Sequence, residues 1–342
     1  MRSHKSCPQH STCGNSLLSL FCNSQNSGEC LNLDQCGCRG VAAIWIEERF
    51  YWFQKSVDAT LVLLGGCMTD LSDFEKMERE GWANPAIAKG YADGFDRATL
   101  LVAQRLSDAV LAGPESTVLD LCTGHGVVAA ELSARGASVT GLDFSEAMIS
   151  LARKAVPDVS FIQGNAMAMD FADNSFDAVT IGFGVPHFPD PERGLAEVAR
   201  VLRPGGRIAF SIWKGKGSDG AFGWLFDAVG RLGDPRVTLP VGPDAHMLAD
   251  RSSAEPMVTK AGFAEVELLD VPSELHVQQP DDLFDAFDQG AVRAASLLSS
   301  QPVKKRDLIR SDLAERTRSQ GIICNGGFLV PAPSVIVSAV RR

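Results

Sequence analysis

The sequence lacks any general basic field. Its 342 residues carry 42 acidic side chains against 32 Lys and Arg, a formal net charge of -10. A surface of that balance does not track a phosphate backbone or an anionic bilayer, which argues against nucleic acid and against a charged membrane surface as general partners. The one basic cluster, Lys304-Lys305-Arg306, reads as a solvated helix face. A long apolar run is missing as well. Leu61-Val62-Leu63-Leu64 before Gly65-Gly66-Cys67 is too short and too deep for a signal peptide, and 41–58 is interrupted by Glu47, Glu48, Arg49, Lys55 and Asp58, so no stable membrane insertion is expected. There is no internal repeat, low-complexity tract or heptad run, which excludes solenoids and coiled coils.

Cysteine is scarce where the chain looks folded and dense where it does not. Six of nine (Cys7, Cys13, Cys22, Cys30, Cys36, Cys38) fall in the first 38 residues, and beyond Met68 only Cys122 and Cys324 remain. The early group contains no C-x-x-C pair, and His4 and His10 do not complete a zinc pattern, so no metal is expected. Residues 1–67 show no lasting periodicity and are expected to be a disordered or non-native leader, with Met68 the true start. The chain beyond Met68 is long enough to bury one good core with an appendage, in keeping with a hydrophobic content of 45%.

The residues that carry a signal centre on 116–136, STVLDLCTGHGVVAAELSARG. An apolar strand (Val118, Leu119, Leu121) leads through Gly124 and Gly126 into a helix that opens at Val127 and stops near Gly136. Residues without Cβ let the backbone swing sharply with room for a ligand, and the helix behind points free N–H groups into the gap. Gly124-His125-Gly126-Val127-Val128-Ala129 fits the G-x-G-x-x-G/A fingerprint of dinucleotide folds, which leaves a nicotinamide-dependent oxidoreductase open. Asp120 argues the other way. A carboxylate buried in the first strand is expected to meet a cationic guest rather than a pyrophosphate, and S-adenosylmethionine carries a sulfonium and an amine. Asp143, at the end of a second strand 138–143, stands where a carboxylate takes ribose hydroxyls.

VLDLCTGHG, VTGLDFSEAM, QGNAMAMDF and SFDAVTIGFGVPHFPDPERGLAEVARVLRPGGRIAFSIW together resemble the class I S-adenosylmethionine-dependent methyltransferases, close to the ubiquinone and menaquinone C-methyltransferases (methyltransferase type 11). The resemblance covers about residues 80 to 270. It implies a Rossmann-like α/β fold, a seven-stranded mostly parallel sheet with helices on both faces, the last strand antiparallel, and a helical lid. It also implies S-adenosyl-L-methionine as cofactor, its methionyl part held by Asp120 and the turn Cys122, Thr123, Gly124, Gly126, its ribose by Asp143 and its adenine by Asn165 and Ala166. Phe144 and Met148 are placed to sandwich that base, and Gly182 opens the loop at the same sheet edge. Cys122 stands where the family has a glycine, and Asn165 where it has an adenine-contacting Asp, the amide oxygen still being able to accept.

Along the chain, helical spacing broken by Pro85 is expected over 72–112, with Trp82, Tyr91 and Phe95 near the methyl group, Tyr91 first among them. A third strand falls at 159–162, a fourth at 178–181, and the loop Gly182–Asp190 is where chemistry is expected. His187 is the candidate general base there, its unperturbed pKa lying near working pH. Pro186-His187 replaces the Arg-Asn of the quinone enzymes. Helix 195–202, a turn at Pro204-Gly205-Gly206, strand 207–213, helices 222–232 and 252–261 and strand 264–269 come next, with His246 expected to be solvated. Two helices, 281–298 and 303–318, are expected to form the lid, Phe284, Phe287 and Leu298 lining an apolar pocket.

The expected division is thus a leader to residue 67, a helical cap 68–113, a cofactor-binding core 114–277, a lid 278–320 and the final core strand in 321–342. The expected activity is methyl transfer to a C, O or N nucleophile of a small, apolar or aromatic molecule in the cytoplasm. The alternatives are a nicotinamide oxidoreductase and a catalytically silent protein that kept the fold.

Overall fold

The computed structural model describes residues 71–342; the expectations for the leader and for Met68 lie outside them. Two helices open the described chain, α1 (Ser72–Ala83) and α2 (Pro85–Ala109). Asn84 separates them because its side chain accepts from the Ala86 amide, and Pro85 occupies the first turn of α2, where its missing N–H costs nothing.

The alternation then begins: β1 (Thr117–Leu121), α3 (Val127–Ala134), β2 (Ser138–Asp143), α4 (Glu146–Ala155), β3 (Ser160–Gln163), β4 (Phe176–Ile181), α5 (Pro191–Val201), β5 (Leu202–Trp213), α6 (Ala221–Leu232), α7 (Arg251–Lys260) and β6 (Phe263–Val271). The strands assemble with the closing β10 (Ser334–Arg341) into a seven-stranded sheet of order β3-β2-β1-β4-β5-β10-β6. β10 runs antiparallel between β5 and β6, and the pairs from β3 to β5 are parallel, as expected from sequence. Alternate residues feed two cores. Val118, Ala178, Ala209 and Ile336 pack with α2, α3 and α6, whereas Leu119, Leu121, Val179 and Phe210 pack with α5 and α7. That period of two is what covers both faces of the sheet with helices.

Four differences from the sequence reading have local causes. Pro204-Gly205-Gly206 is not a separate turn: β5 runs through it, Gly205 taking φ +78° and the register against β4 slipping between Phe176 and Ala178. The segment 278–320 holds three helices, α8 (Asp282–Gly290), α9 (Val292–Ser299) and α10 (Val303–Gln320), rather than two. The break results from a close crossing, since a Cβ on Gly90 of α2 would lie 2.2 Å from the Gln289 carbonyl oxygen, so α8 ends with its backbone against that of α2. Phe284, Phe287 and Leu298 do not line a pocket; they are fully buried with Phe95 in the core. Finally, residues 321–342 hold more than one strand. β8 (Ile322–Cys324) and β9 (Gly327–Pro331) join β7 (Glu274–Val277) in a second, antiparallel sheet of order β7-β9-β8. Among the described residues no helix is long and apolar enough to cross a membrane.

Candidate functional site

At the carboxyl edge of β1, β2 and β4 the chain makes two adjoining hollows, where open α/β sheets place their ligands. One, of about 80 Å³, is lined by Cys122, Thr123, Gly124, His125, Met148, Gly182 and Tyr91 among others. The second, of about 50 Å³, is lined by Gly164, Asn165, Ala166 and Glu78 among others. Cys122, Asp143, Phe144 and His187 face both. Eleven of the thirteen residues singled out from sequence thus stand around these hollows.

Asp120 and Gly126 do not. Asp120 is fully buried beneath the turn and lines neither hollow. Its carboxylate accepts from the Thr123 hydroxyl at 2.6 Å, the Thr180 hydroxyl at 2.9 Å and the Ala129 amide. The protein partners that meet its burial are hydroxyls and the first turn of α3. Burial still pushes its pKa up to about 7. Gly126 is the cap of α3 at φ +90°, and a Cβ there would press within 3.2 Å of Ala152 on α4. Both residues build the turn rather than face the hollow.

Gly124 is the residue that does face it. At φ +55° it takes the left-handed conformation, and an added Cβ would project into open space. Its amide donates to Asp143 at 2.9 Å, and the Ser145 amide donates to the other oxygen, also at 2.9 Å. The Phe144 amide bonds the same carboxylate, which leaves it capacity for one further donor. Burial raises the Asp143 pKa against these bonds. His125, between the two glycines of the turn, has a buried Nε2 with no partner among the described residues, and burial holds its pKa low. An orphaned polar atom beside an open backbone turn fits a ligand with both polar and apolar parts. Asn165 departs from expectation: its Oδ1 already accepts from the Met167 amide at 2.9 Å, which leaves its NH2 as the readier group.

α1 closes the site. Glu78, 3% exposed, accepts from Arg293 of α9 at 2.6 Å and faces Nδ1 of His187 at 2.8 Å. The Trp82 indole N–H donates to the same carboxylate at 3.1 Å. Burial pushes the Glu78 pKa up, but His187 and Arg293 more than offset it and hold it below the usual range. Arg293 also donates to the carbonyls of Pro243 and Pro186 and lies over the Phe74 ring at 4.5 Å. Neither Glu78 nor Arg293 was legible as a site residue. They lie 215 positions apart, and each reads alone as an ordinary helical charge.

Beyond the turn a larger cavity of about 360 Å³ opens, sharing Trp82, Tyr91, Phe183 and His187 with the first hollow. Its walls are flat. Phe183 stacks on Trp213 at 3.7 Å and 5°, and Trp213 on Phe222 at 5.2 Å. Phe183 holds φ +57°, unusual for an aromatic, with its amide donating to the Ser211 hydroxyl. Tyr91 stacks on Phe95 at 5.0 Å, and burial raises its phenol so far that it stays a neutral hydroxyl. The cavity is also lined by Ala291, Val292 and Leu297, so α9 and its approach, rather than Phe284 or Phe287, supply the apolar wall.

Residues 119–210, which carry the turn, Asp143 and His187, match the family model described as a methyltransferase domain. That segment is similar to a methyltransferase domain. The demethylmenaquinone methyltransferase of Renibacterium salmoninarum is 46% identical over 101 residues, 30% of this chain and 43% of that protein. That of Mycobacterium sp. (strain KMS) is 41% identical over 155 residues, 44% of this chain and 65% of that protein. The chain therefore spans between about two fifths and two thirds of these relatives' length. Among solved structures, phosphoethanolamine N-methyltransferase 2 of Haemonchus contortus in complex with S-adenosyl-L-methionine covers 80% of this chain and 60% of its own, at 18% identity and a TM-score of 0.49. The likeness to a methyltransferase domain takes in the glycine fingerprint, and none of these relatives is an oxidoreductase.

Proposed function

We propose that this protein transfers a methyl group from S-adenosyl-L-methionine to a small, apolar or aromatic acceptor. One observation carries the reading: beside a turn carried by the segment similar to a methyltransferase domain, the hollow adjoins an aromatic cavity with which it shares Trp82, Tyr91, Phe183 and His187. Gly124, His125 and Asp143 would hold the methionyl and ribose parts, and Phe144, Asn165 and Ala166 the base. When bound, this cofactor supplies an activated methyl on a good leaving group, so the chemistry asks little of the protein beyond alignment and exclusion of water.

The chain's own residues supply both. Trp82 and Tyr91 cover the junction of hollow and cavity, with their rings edge to face at 5.4 Å. His187 stands at that junction with Nδ1 against Glu78, which leaves Nε2 to orient the nucleophile or receive its proton. Tyr91 stays protonated and can only steer. Among the described residues Cys122 and Cys324 form no disulfide, and the same reading assigns the protein to the cytoplasm.

Titration with S-adenosylmethionine and with NAD(H) tests the cofactor: the first should bind and the second should not. Asp143→Ala should weaken the first about 10-fold or more, the loss expected for hydrogen bonds to a carboxylate. A panel of phenols, quinols, amines and carboxylates with labelled methyl donor then tests transfer. Binding without transfer to any of them would leave a silent cofactor-binding protein.

A further inference from the structure

The loop between α6 and α7 brings His246 into the wall of the aromatic cavity, against the expectation that it is solvated. Its Nδ1 lies 2.7 Å from the carbonyl oxygen of Trp213. A carbonyl only accepts, so Nδ1 carries the proton and Nε2 the lone pair. The ring is fixed in place. Phe222 and Phe226 meet it edge to face at 5.8 and 5.2 Å, and Gly215 lies so close that a Cβ there would come 2.3 Å from Cγ. Among the described residues nothing donates to Nε2. Of the other polar groups lining the cavity, Lys216 and Asp244 are exposed, Arg293 is committed to Glu78 and two carbonyls, and Tyr91 and His187 belong to the junction.

We infer that His246 selects the methyl acceptor, its Nε2 accepting a hydrogen bond from a hydroxyl on a planar aromatic molecule held among the aromatic side chains that line the cavity. The inference rests on the methyl-transfer reading. His246 lines the cavity but neither cofactor hollow, so the hydroxyl it grips is a handle set apart from the junction. Aromatic walls with a fixed acceptor set apart from the junction suit a hydroxylated ring, and they leave a ring without a donor facing an unpaired polar atom. Burial lowers the His246 pKa, with Arg293 acting in the same sense and the Trp213 carbonyl and Asp244 opposing. Lys216, His187 and Tyr91 are the remaining titratable groups that face the cavity. Nε2 thus keeps its lone pair through the neutral range; acid converts it into a donor and removes the grip.

The test compares 2-naphthol with 2-methoxynaphthalene, by equilibrium dialysis on the full chain after a titration has established whether S-adenosylhomocysteine binds. The wild type should hold the naphthol about 10-fold tighter than the ether near neutral pH, one hydrogen bond's worth. The preference should shrink in acid. In His246→Phe it should fall within about 2-fold at every pH, with the ether bound as before, a pattern that general loss of structure does not produce. Gly215→Ala, which keeps the imidazole but displaces it, should lose the preference too and covers the case in which His246→Phe fails to fold. Equal binding of the two probes by the wild type, binding of neither, or a preference that survives both substitutions would overturn the inference while leaving methyl transfer standing. Failure to bind S-adenosylhomocysteine at all would remove both.

Discussion

Asp120 shows how far one residue could be read. A charged position in an apolar strand flagged the turn correctly, yet the reason it is tolerated is internal: two threonine hydroxyls and the Ala129 amide meet it. Thr180 comes from a strand 60 positions away, and no spacing rule reports such a partner. A raised carboxylate pKa has a definite sign. With the folded value near 7 against 3.8, the native state holds a proton that the unfolded chain has lost, so stability falls as pH rises through that window and levels above it. Asp120→Asn, neutral throughout, should flatten this part of the profile, by on the order of 4 kcal/mol at most. Urea unfolding from pH 4 to pH 8 measures it, and parallel profiles for variant and wild type would mean that the group is ionised at neutral pH after all. Asp143 is also raised by burial and leaves a residual slope of the same sign in both proteins.

Among elements, those set by local pattern were the ones legible in advance. The strand-turn-helix at β1 and α3 arises from apolar period and glycine placement, and its bounds agree with the sequence to within about two residues. The β7-β9-β8 sheet was not legible because its strands are four, five and three residues long and acquire meaning only by pairing with one another. The division of α8 from α9 was missed for a similar reason, since no proline marks it and its cause is the backbone of α2. Gly90 is the hinge of that argument. A methyl there has to displace the Gln289 carbonyl, so Gly90→Ala should destabilise the protein by about 1–3 kcal/mol, the usual range for overpacking, although alanine is the better helix former. A urea midpoint unchanged or raised would show that α2 and α8 are free to separate.

For the methyltransferase region as a whole, the hollows around the turn are small for what they are proposed to hold. Volumes of about 80 and 50 Å³ fall well short of the roughly 300–1,000 Å³ usual for small-molecule sites, so admission of a nucleoside-sized ligand requires a wall to move. The wall with the clearest fastening is α1, whose Glu78 ties it at once to His187 beside β4 and to Arg293 on α9. The fastening is pH-sensitive in the sense opposite to Asp120: a depressed carboxylate pKa contributes stability above the unfolded value of 4.5, and that stability is lost as pH falls through the folded value. If opening precedes entry, the observed rate of S-adenosylhomocysteine binding should reach a plateau at high ligand, set by the release of α1. Glu78→Gln loosens the latch but strands the Arg293 charge. It should cost about 3–5 kcal/mol of stability and raise the plateau several-fold, while the apparent affinity rises with the fraction of open molecules. Stopped-flow binding with hydrogen exchange on α1 separates the two effects. A plateau that stays put while the α1 amides exchange faster would place the entrance at another wall, with Phe144 the next side chain common to both hollows.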